Sequence, residues 1–403
     1  MAPRLCPVKA LLLENIHSEA TCILTEAGIE VETRKGALAG DELVEALQGV
    51  QLLGIRSQSQ LTDQVLAASP DLMAAGCFCI GTNQVNLGAA ADAGVAVFNA
   101  PYSNTRSVVE LAIGEIIALA RHLTDKNKMM HQGIWDKSAA GSHEVRGRTL
   151  GIVGYGNIGA QLSVLAESFG MKVIFHDIAD KLALGNARRC ESLDELLAQA
   201  DTVSLHIDGR AANNGFFGEE QFAAMKPRAQ FLNLARGQVY DAEALVRHLK
   251  SGHISGAGLD VFPSEPRTAG DPFVNELQNL DNVILTPHVG GSTKEAQVDI
   301  GRYVASKLLD HLATGNTSMS VNMPEIAAQG FTGTRVVHLH HNVPGVMARL
   351  NQVFAQHDGN ITFQSLATQG HLGYAVTDLS GSHPNLEHEL AELEETVRVR
   401  IIT

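Results

Sequence analysis

Apolar and polar positions along this chain fall into two alternating rhythms. Short apolar or alternating runs at 8–13, 29–35, 51–55, 72–80 and 95–99 predict strands, and segments of helical period at 18–27, 41–48 and 62–68 predict helices between them. A longer periodic segment at 106–123 predicts a helix that Asn104 or Thr105 can cap. The rhythm then restarts with strands at 150–153, 172–176, 202–206, 230–235, 258–262 and 283–285. Helices are predicted from 158 onward and at 192–198, 219–225, 242–251 and 294–313. Alternation of this kind predicts parallel sheets covered by helices on both faces. Beyond 314 the order changes to β-α-β-β-α-β, with strands at 335–340, 361–367, 374–379 and 398–402 and helices at 344–357 and 385–394. Residues 314–318 read as a linker and 327–334 as a second, more flexible one.

The restart carries the strongest local signal. Gly151-Ile-Val-Gly-Tyr-Gly-Asn-Ile-Gly159 follows a predicted strand and opens a predicted helix, and the next strand ends at Asp177. Gly154 permits the turn, Gly156 lets the backbone approach a pyrophosphate, and Gly159 lets the helix pack closely on the strand. Asn157 and Ile158 stand at the helix start, where free N–H groups and the positive end of the dipole favour phosphate. Asp177, 18 residues past Gly159, can take both ribose hydroxyls and would repel a 2′-phosphate. The pattern predicts NAD. Because it begins only after 150 residues, the simplest architecture inserts a dinucleotide domain, 104–290, into a first domain made of 1–103 and 291–332. Residues 333–403 would then form a separate unit.

Composition narrows the partners. A chain of 403 residues with a formal net charge of −14 has no electrostatic reason to bind nucleic acid or an anionic membrane. An anionic substrate must therefore meet a local basic cluster. The cysteines at 6, 22, 77, 79 and 190 are irregularly spaced and read as reduced thiols of a cytoplasmic protein. Alternation puts Cys77 and Cys79 on one strand face. The apolar run at 10–13 is broken by Glu14, too early for a signal peptide or a membrane span.

Three ionisable residues are expected at or just past strand ends, where ligands of open α/β sheets bind. Arg236 follows Asn233-Leu234-Ala235, Glu265 follows the strand at 258–262, and His288 follows Thr286-Pro287. Oxidising a secondary alcohol leaves an O–H proton, which a histidine can accept and a carboxylate can help it hold. An arginine can grip a substrate carboxylate in a fork. Singly, each is also credible as a turn or loop residue; together they point to hydride-transfer chemistry.

These residues lie in segments that resemble the D-isomer-specific 2-hydroxyacid dehydrogenases. The segments are the glycine turn, Asn233-Leu-Ala-Arg-Gly237, Asp260-Val-Phe-Pro-Ser-Glu-Pro266 and Thr286-Pro-His-Val-Gly-Gly-Ser-Thr293. Cys77-Phe-Cys-Ile-Gly-Thr-Asn-Gln84, Phe98-Asn-Ala-Pro-Tyr-Ser-Asn-Thr-Arg-Ser107 and the C-terminal unit point to the serine-inhibited kind with a C-terminal ACT domain. The resemblance implies an α/β fold: a Rossmann-type doubly wound sheet inserted in a flavodoxin-like domain, plus a ferredoxin-like unit. It implies NAD-dependent oxidation of D-3-phosphoglycerate to 3-phosphohydroxypyruvate, the first step of L-serine synthesis, in a homotetramer. Arg236, Glu265 and His288 match the substrate-binding arginine, supporting glutamate and acid/base histidine. Leu234, Ala235, Arg236, Asp260, His288, Val289, Gly290 and Gly291 fall in NAD-contacting segments.

The resemblance also assigns Lys35, Arg56 and Lys137 to the substrate, with Lys137 reaching in from a neighbouring subunit. Gln58 departs from the pattern, which has a second arginine there. His340, Asn342 and Asn360 match residues that hold L-serine; a metal reading of His338, His340 and His341 has no Cys or acidic ligand to complete it. Reduction of 2-oxoglutarate or another 2-oxo acid stays open, as does a non-catalytic nucleotide- or serine-sensing regulator. The regulator would have no need of all three catalytic residues.

Overall fold

A computed structural model describes residues 8–266, 270–383 and 386–403; Cys6 lies outside the described residues, as does Asn385 of the expected last helix. Asn104–Ala296 forms one compact unit, and the chain on either side of it in sequence forms the other.

The flanking unit holds two sheets among its described residues. The first contains β1 (Lys9–Leu12), β2 (Glu30–Thr33), β3 (Leu52–Ile55), β4 (Ala74–Cys77) and β5 (Ala96–Asn99), parallel in the order β2-β1-β3-β4-β5. That is the flavodoxin-like order. β3 and β4 are buried at every position, because helices cover both faces of a parallel sheet. The expected strand at 72–80 shortens to β4, so Cys77 ends the strand while Cys79 lies beyond it. The single-face expectation for the two cysteines is corrected accordingly. The helix Leu87–Asp92, capped by the Asn86 side chain, adds to the predicted elements; its six residues are too few to show a period.

The second sheet of this unit contains β13 (Thr334–His341), β14 (Ile361–Gln369), β15 (Leu372–Leu379) and β16 (Thr396–Ile402), antiparallel in the order β14-β15-β13-β16. With helices Val346–Gln356 and Leu386–Ala391 it is the ferredoxin-like arrangement. Arg335, nearly inaccessible, pairs through two nitrogens with Asp378 and donates to the carbonyls of Thr314 and Gln329 at 3.0 and 2.6 Å. Both expected linkers are thus hydrogen-bonded to the strand they precede.

The other unit is built on β6 (Thr149–Val153), β7 (Lys172–His176), β8 (Arg188–Arg189), β9 (Thr202–Leu205), β10 (Ala229–Asn233), β11 (Ile254–Leu259) and β12 (Val283–Leu285). Its order is β12-β11-β10-β9-β6-β7-β8, all parallel. Strand order reverses between β6 and β9, which opens a crevice at their carboxyl ends. The helix expected at 106–123 is Thr105–Ala120, and a further helix, Leu123–His131, follows it after His122 at φ 51°. Asn104 occupies the cap position, yet its side chain makes no capping bond.

Candidate active site

Helix Asn157–Ser168 begins at the crevice, and two glycines around its start, Gly154 and Gly159, are fixed by steric need. Gly154 has φ 92°, and a Cβ there would lie 2.6 Å from the His206 carbonyl oxygen at the end of β9. A Cβ on Gly159 would lie 2.4 Å from the Gly154 carbonyl oxygen, so only glycine lets helix and turn meet. Gly156 is different: a Cβ there would have none of the described residues within 4 Å. That open space leaves room for a pyrophosphate at the start of helix Asn157–Ser168, where the first N–H groups have no acceptor within the helix. Asp177, just past β7, accepts from the N–H groups of Tyr155 and Ala179 at 2.8 Å each. Each of its oxygens keeps a lone pair for a ribose hydroxyl.

Arg236, Glu265 and His288 all belong to this unit and act on one another. The Nδ1–H of His288 donates to Glu265 Oε2 at 2.8 Å, and Glu265 Oε1 accepts the Phe262 N–H at 3.0 Å. Burial pushes the Glu265 carboxyl up, but the bonds from His288 and Phe262 and the charges of His288 and Arg236 outweigh it and hold the group below its usual range. For His288 the bond to Glu265 leads; against burial and the Arg236 charge, it keeps the imidazole protonated to a higher pH than usual. Nε2 is left facing away from the glutamate, in the position of a general acid or base. Arg236 is set by Asn233, whose amide donates to the Arg236 carbonyl and accepts from the Ala235 N–H, both at 3.0 Å. Next to it, a Cβ on Gly237 would sit 1.9 Å from the Phe262 carbonyl oxygen, so the turn allows glycine alone.

His288 sits at φ 53°, a left-handed conformation with a real cost for a residue bearing a Cβ. Asp260 supports it. Fully buried, it accepts from Thr286 Oγ1 at 2.6 Å, the Val289 N–H at 2.8 Å and the Gly290 N–H at 2.7 Å. Its carboxylate thus holds the loop that carries His288. Leu234 is buried, while Val289 is exposed beside His288. A Cβ on Gly291 would lie 2.2 Å from Asn104 Nδ2, so glycine at 291 leaves room for that side chain.

Behind Asp260 lies a residue the sequence gave no reason to single out. Glu115, on helix Thr105–Ala120, is 4% exposed, and both carboxylate oxygens lack a hydrogen-bond partner among the described residues. It lies against Gly258 of β11, where a Cβ would meet its Oε2 at 2.4 Å. Burial, and then the charge of Asp260, push its carboxyl up to about 8. It therefore folds protonated at neutral pH, while the unfolded chain ionises near 4.5. Stability from this group is full below that value and declines as pH rises to about 8. Glu115→Gln is expected to flatten the fall in melting temperature between these two pH values; an unchanged slope counts against it.

The remaining expected site residues are dispersed. Lys35 is exposed, Arg56 is partly buried just past β3, and Lys137 is exposed in the other unit. His338 and His340 share a face of β13 with rings 5.3 Å apart, while His341 is exposed, as alternation predicts. β13 lies inside the sheet, so these histidines are not edge residues. His340 is buried, and its Nε2 has no hydrogen-bond partner among the described residues. Asn342, past the end of β13, donates its N–H to the His371 carbonyl at 2.8 Å. Asn360 precedes β14, and its carbonyl accepts from the Ser380 N–H. Because Thr334 pairs with Leu379 and His341 with Leu372, Asn360 and Asn342 stand at opposite ends of one sheet. One copy of the chain does not bring them together.

A family model described as "D-isomer specific 2-hydroxyacid dehydrogenase, NAD binding domain" matches residues 113–290, and an "AHAS small subunit-like ACT domain" matches residues 336–400. The chain is 47% identical to D-3-phosphoglycerate dehydrogenase of Haemophilus influenzae over 98% of its length and 97% of that protein's. It is 46% identical to the Escherichia coli protein of the same name, with the same coverage. The chain belongs to the D-isomer-specific 2-hydroxyacid dehydrogenase family. Among solved structures, a glyoxylate reductase from Paecilomyes thermophila aligns with a TM-score of 0.69 at 26% identity, over 79% of this chain and 99% of its own. As a member of this family the chain is an NAD-dependent oxidoreductase with an ACT domain. Among the described residues no helix is long and apolar enough to cross a membrane.

Proposed function

We propose that this dehydrogenase oxidises D-3-phosphoglycerate to 3-phosphohydroxypyruvate in the cytoplasm, as the first step of L-serine synthesis. The observation that carries it is the His288–Glu265 pair beside Arg236, in a chain nearly half identical along its length to proteins named for that reaction. NAD, when bound, supplies the hydride acceptor. Gly154, Gly156, Asn157, Ile158, Gly159 and Asp177 would hold its pyrophosphate and ribose. Neutral His288 takes the C2 hydroxyl proton at Nε2, and Glu265 stabilises the imidazolium that results. Arg236 grips the substrate carboxylate, and in the reverse direction polarises the 2-oxo group. Lys35 and Arg56 meet the phosphate, with Lys137 contributed by a second copy.

L-Serine is the proposed effector, held by His340 and Asn342 of one copy and Asn360 of another. The separation of these asparagines within one sheet supports a shared site, because two edge-paired sheets running in opposite directions would bring unlike ends together. The edge strand β14 presents Ile361, Phe363 and Leu366 to solvent, apolar surface suited to such pairing. A homotetramer follows if the other unit supplies a second contact.

A second reading is favoured by Gln58. It brings no charge to the loop of Arg56, so a dicarboxylic 2-oxo acid such as 2-oxoglutarate competes better here than at a site with two arginines. NADH oxidation with 3-phosphohydroxypyruvate and with 2-oxoglutarate, repeated while titrating L-serine, tests both readings. Turnover of the phosphorylated acid, suppressed by serine, is expected; turnover of neither acid removes the proposal. Gln58→Arg is expected to lower KM for 3-phosphohydroxypyruvate by roughly 3- to 30-fold, the worth of one charge-assisted bond. An unchanged KM would mean that the phosphate does not reach this position.

A further inference from the structure

We propose that Glu14 is a positioning residue for the substrate, fixing both loops that carry the cations of the flanking unit. The inference rests on the reading of Lys35 and Arg56 as substrate ligands. Glu14 follows the end of β1, is 8% exposed, and turns its carboxylate onto the segment after β3. Oε2 accepts the N–H groups of Ser57 at 2.9 Å and Gln58 at 3.0 Å, and Oε1 accepts that of Ser59 at 2.9 Å. Three consecutive N–H groups converging on one point make an anion-binding nest. Here the chain fills the nest with its own carboxylate, so the nest is closed to a substrate phosphate and holds the turn that begins at Arg56.

The same residue reaches the other loop. Its N–H donates to the carbonyl of Gly36, next to Lys35, at 3.2 Å. The Ser59 hydroxyl accepts the N–H of Leu38 at 3.2 Å, closing a ring of bonds between the two loops. Glu14 and Asn15 stand at φ 60° and 53°, two successive left-handed residues that are not glycine. Such strain persists only where surrounding bonds over-determine it. Burial opposes the charge on Glu14, but the N–H groups of Ser59, Gln58 and Arg56, with the Ser59 hydroxyl, hold its carboxyl below the usual range. The arrangement therefore persists throughout the neutral range, where the substrate is a multiple anion. Without it, Arg56 and Lys35 would have to be ordered by the substrate itself, at a cost in affinity.

Kinetics of the full-length enzyme with 3-phosphohydroxypyruvate and NADH decide the matter, using Glu14→Gln, Ser59→Ala, Arg56→Ala and the double variant Glu14→Gln/Arg56→Ala. Glu14→Gln leaves one acceptor for three donors and is expected to raise KM for the oxo acid about tenfold, with kcat within about threefold and KM for NADH unchanged. Ser59→Ala, which keeps the carboxylate, should raise it about threefold; it carries the test if Glu14→Gln does not fold. Glu14→Gln should add less than about twofold in the Arg56→Ala background, because the loop then has no cation to aim. An unchanged KM in both loop variants, equal losses in kcat and both KM values, or full additivity in the double variant overturns the proposal. An Arg56→Ala enzyme with normal KM instead overturns the reading of the substrate site.

Discussion

Replacing His288 by asparagine is expected to lower kcat in both directions by about 10²- to 10⁴-fold, the worth of a positioned general acid–base group. KM for NADH should change little. Asparagine is chosen because His288 sits at φ 53°, a region it tolerates, so that loss of chemistry is separated from backbone strain. The direction of the pH dependence follows from the same pair. Oxidation needs the neutral imidazole, so its rate rises as pH climbs through the raised His288 pKa; reduction needs the imidazolium and falls over that range. Glu265→Gln removes the main cause of the raised value and should move both limbs to lower pH. A limb that stays in place would assign the titration to another group.

The pair also ties stability to pH, with opposite signs for its members. The raised His288 value contributes stability that is full below the ordinary 6.5 and lost as pH rises through the folded value. The lowered Glu265 value contributes stability present above 4.5 and lost as pH falls through its own folded value. Both contributions coexist only between those limits. Half-exposed as the pair is, it serves orientation more than stability.

Much of the architecture is legible in the sequence because parallel strands buried on both faces leave unbroken apolar runs, and the helices between them keep their period. β3, β6 and β9 are visible for that reason. What resists reading is set by contacts between distant segments. β4 ends at Cys77 rather than at 80, and helix Leu87–Asp92 is held by a cap and by packing rather than by its own periodicity. The glycine turn is legible because each glycine answers a local steric demand. The supports of the site are not: Glu14 and Glu115 look like charges interrupting apolar segments. Only the fold reveals that one fills a nest 43 to 45 residues away and that the other, behind Asp260, has no hydrogen-bond partner among the described residues. The residues proposed to hold an effector show the opposite case. Chemically suitable side chains are easy to find, but the strand register sets Asn342 and Asn360 at opposite ends of one sheet, which no local pattern announces.

Asp260→Asn is expected to disable the enzyme almost as severely as loss of His288, without touching an atom that reacts. The carboxylate offers two oxygens to three donors, from Thr286, Val289 and Gly290. An amide of the same shape keeps one oxygen and turns an NH₂ group toward a buried N–H. Leaving a buried donor unpaired costs about 1–3 kcal/mol, so the melting temperature should fall by roughly 3–10 °C. The larger effect falls on catalysis. Loop 286–290 holds His288 in a strained conformation, and once released it places Nε2 off the proton it must take. A misplacement of about 1 Å costs on the order of 10²-fold in rate. Removing the Asp260 charge also removes one of the two causes that raise Glu115, so the pH dependence of stability should weaken in the same variant. Crystallography of Asp260→Asn, beside its kcat and melting curve, checks all three effects. If kcat is retained while the loop stays in place, His288 is held by Glu265 alone and Asp260 serves only to brace the sheet end.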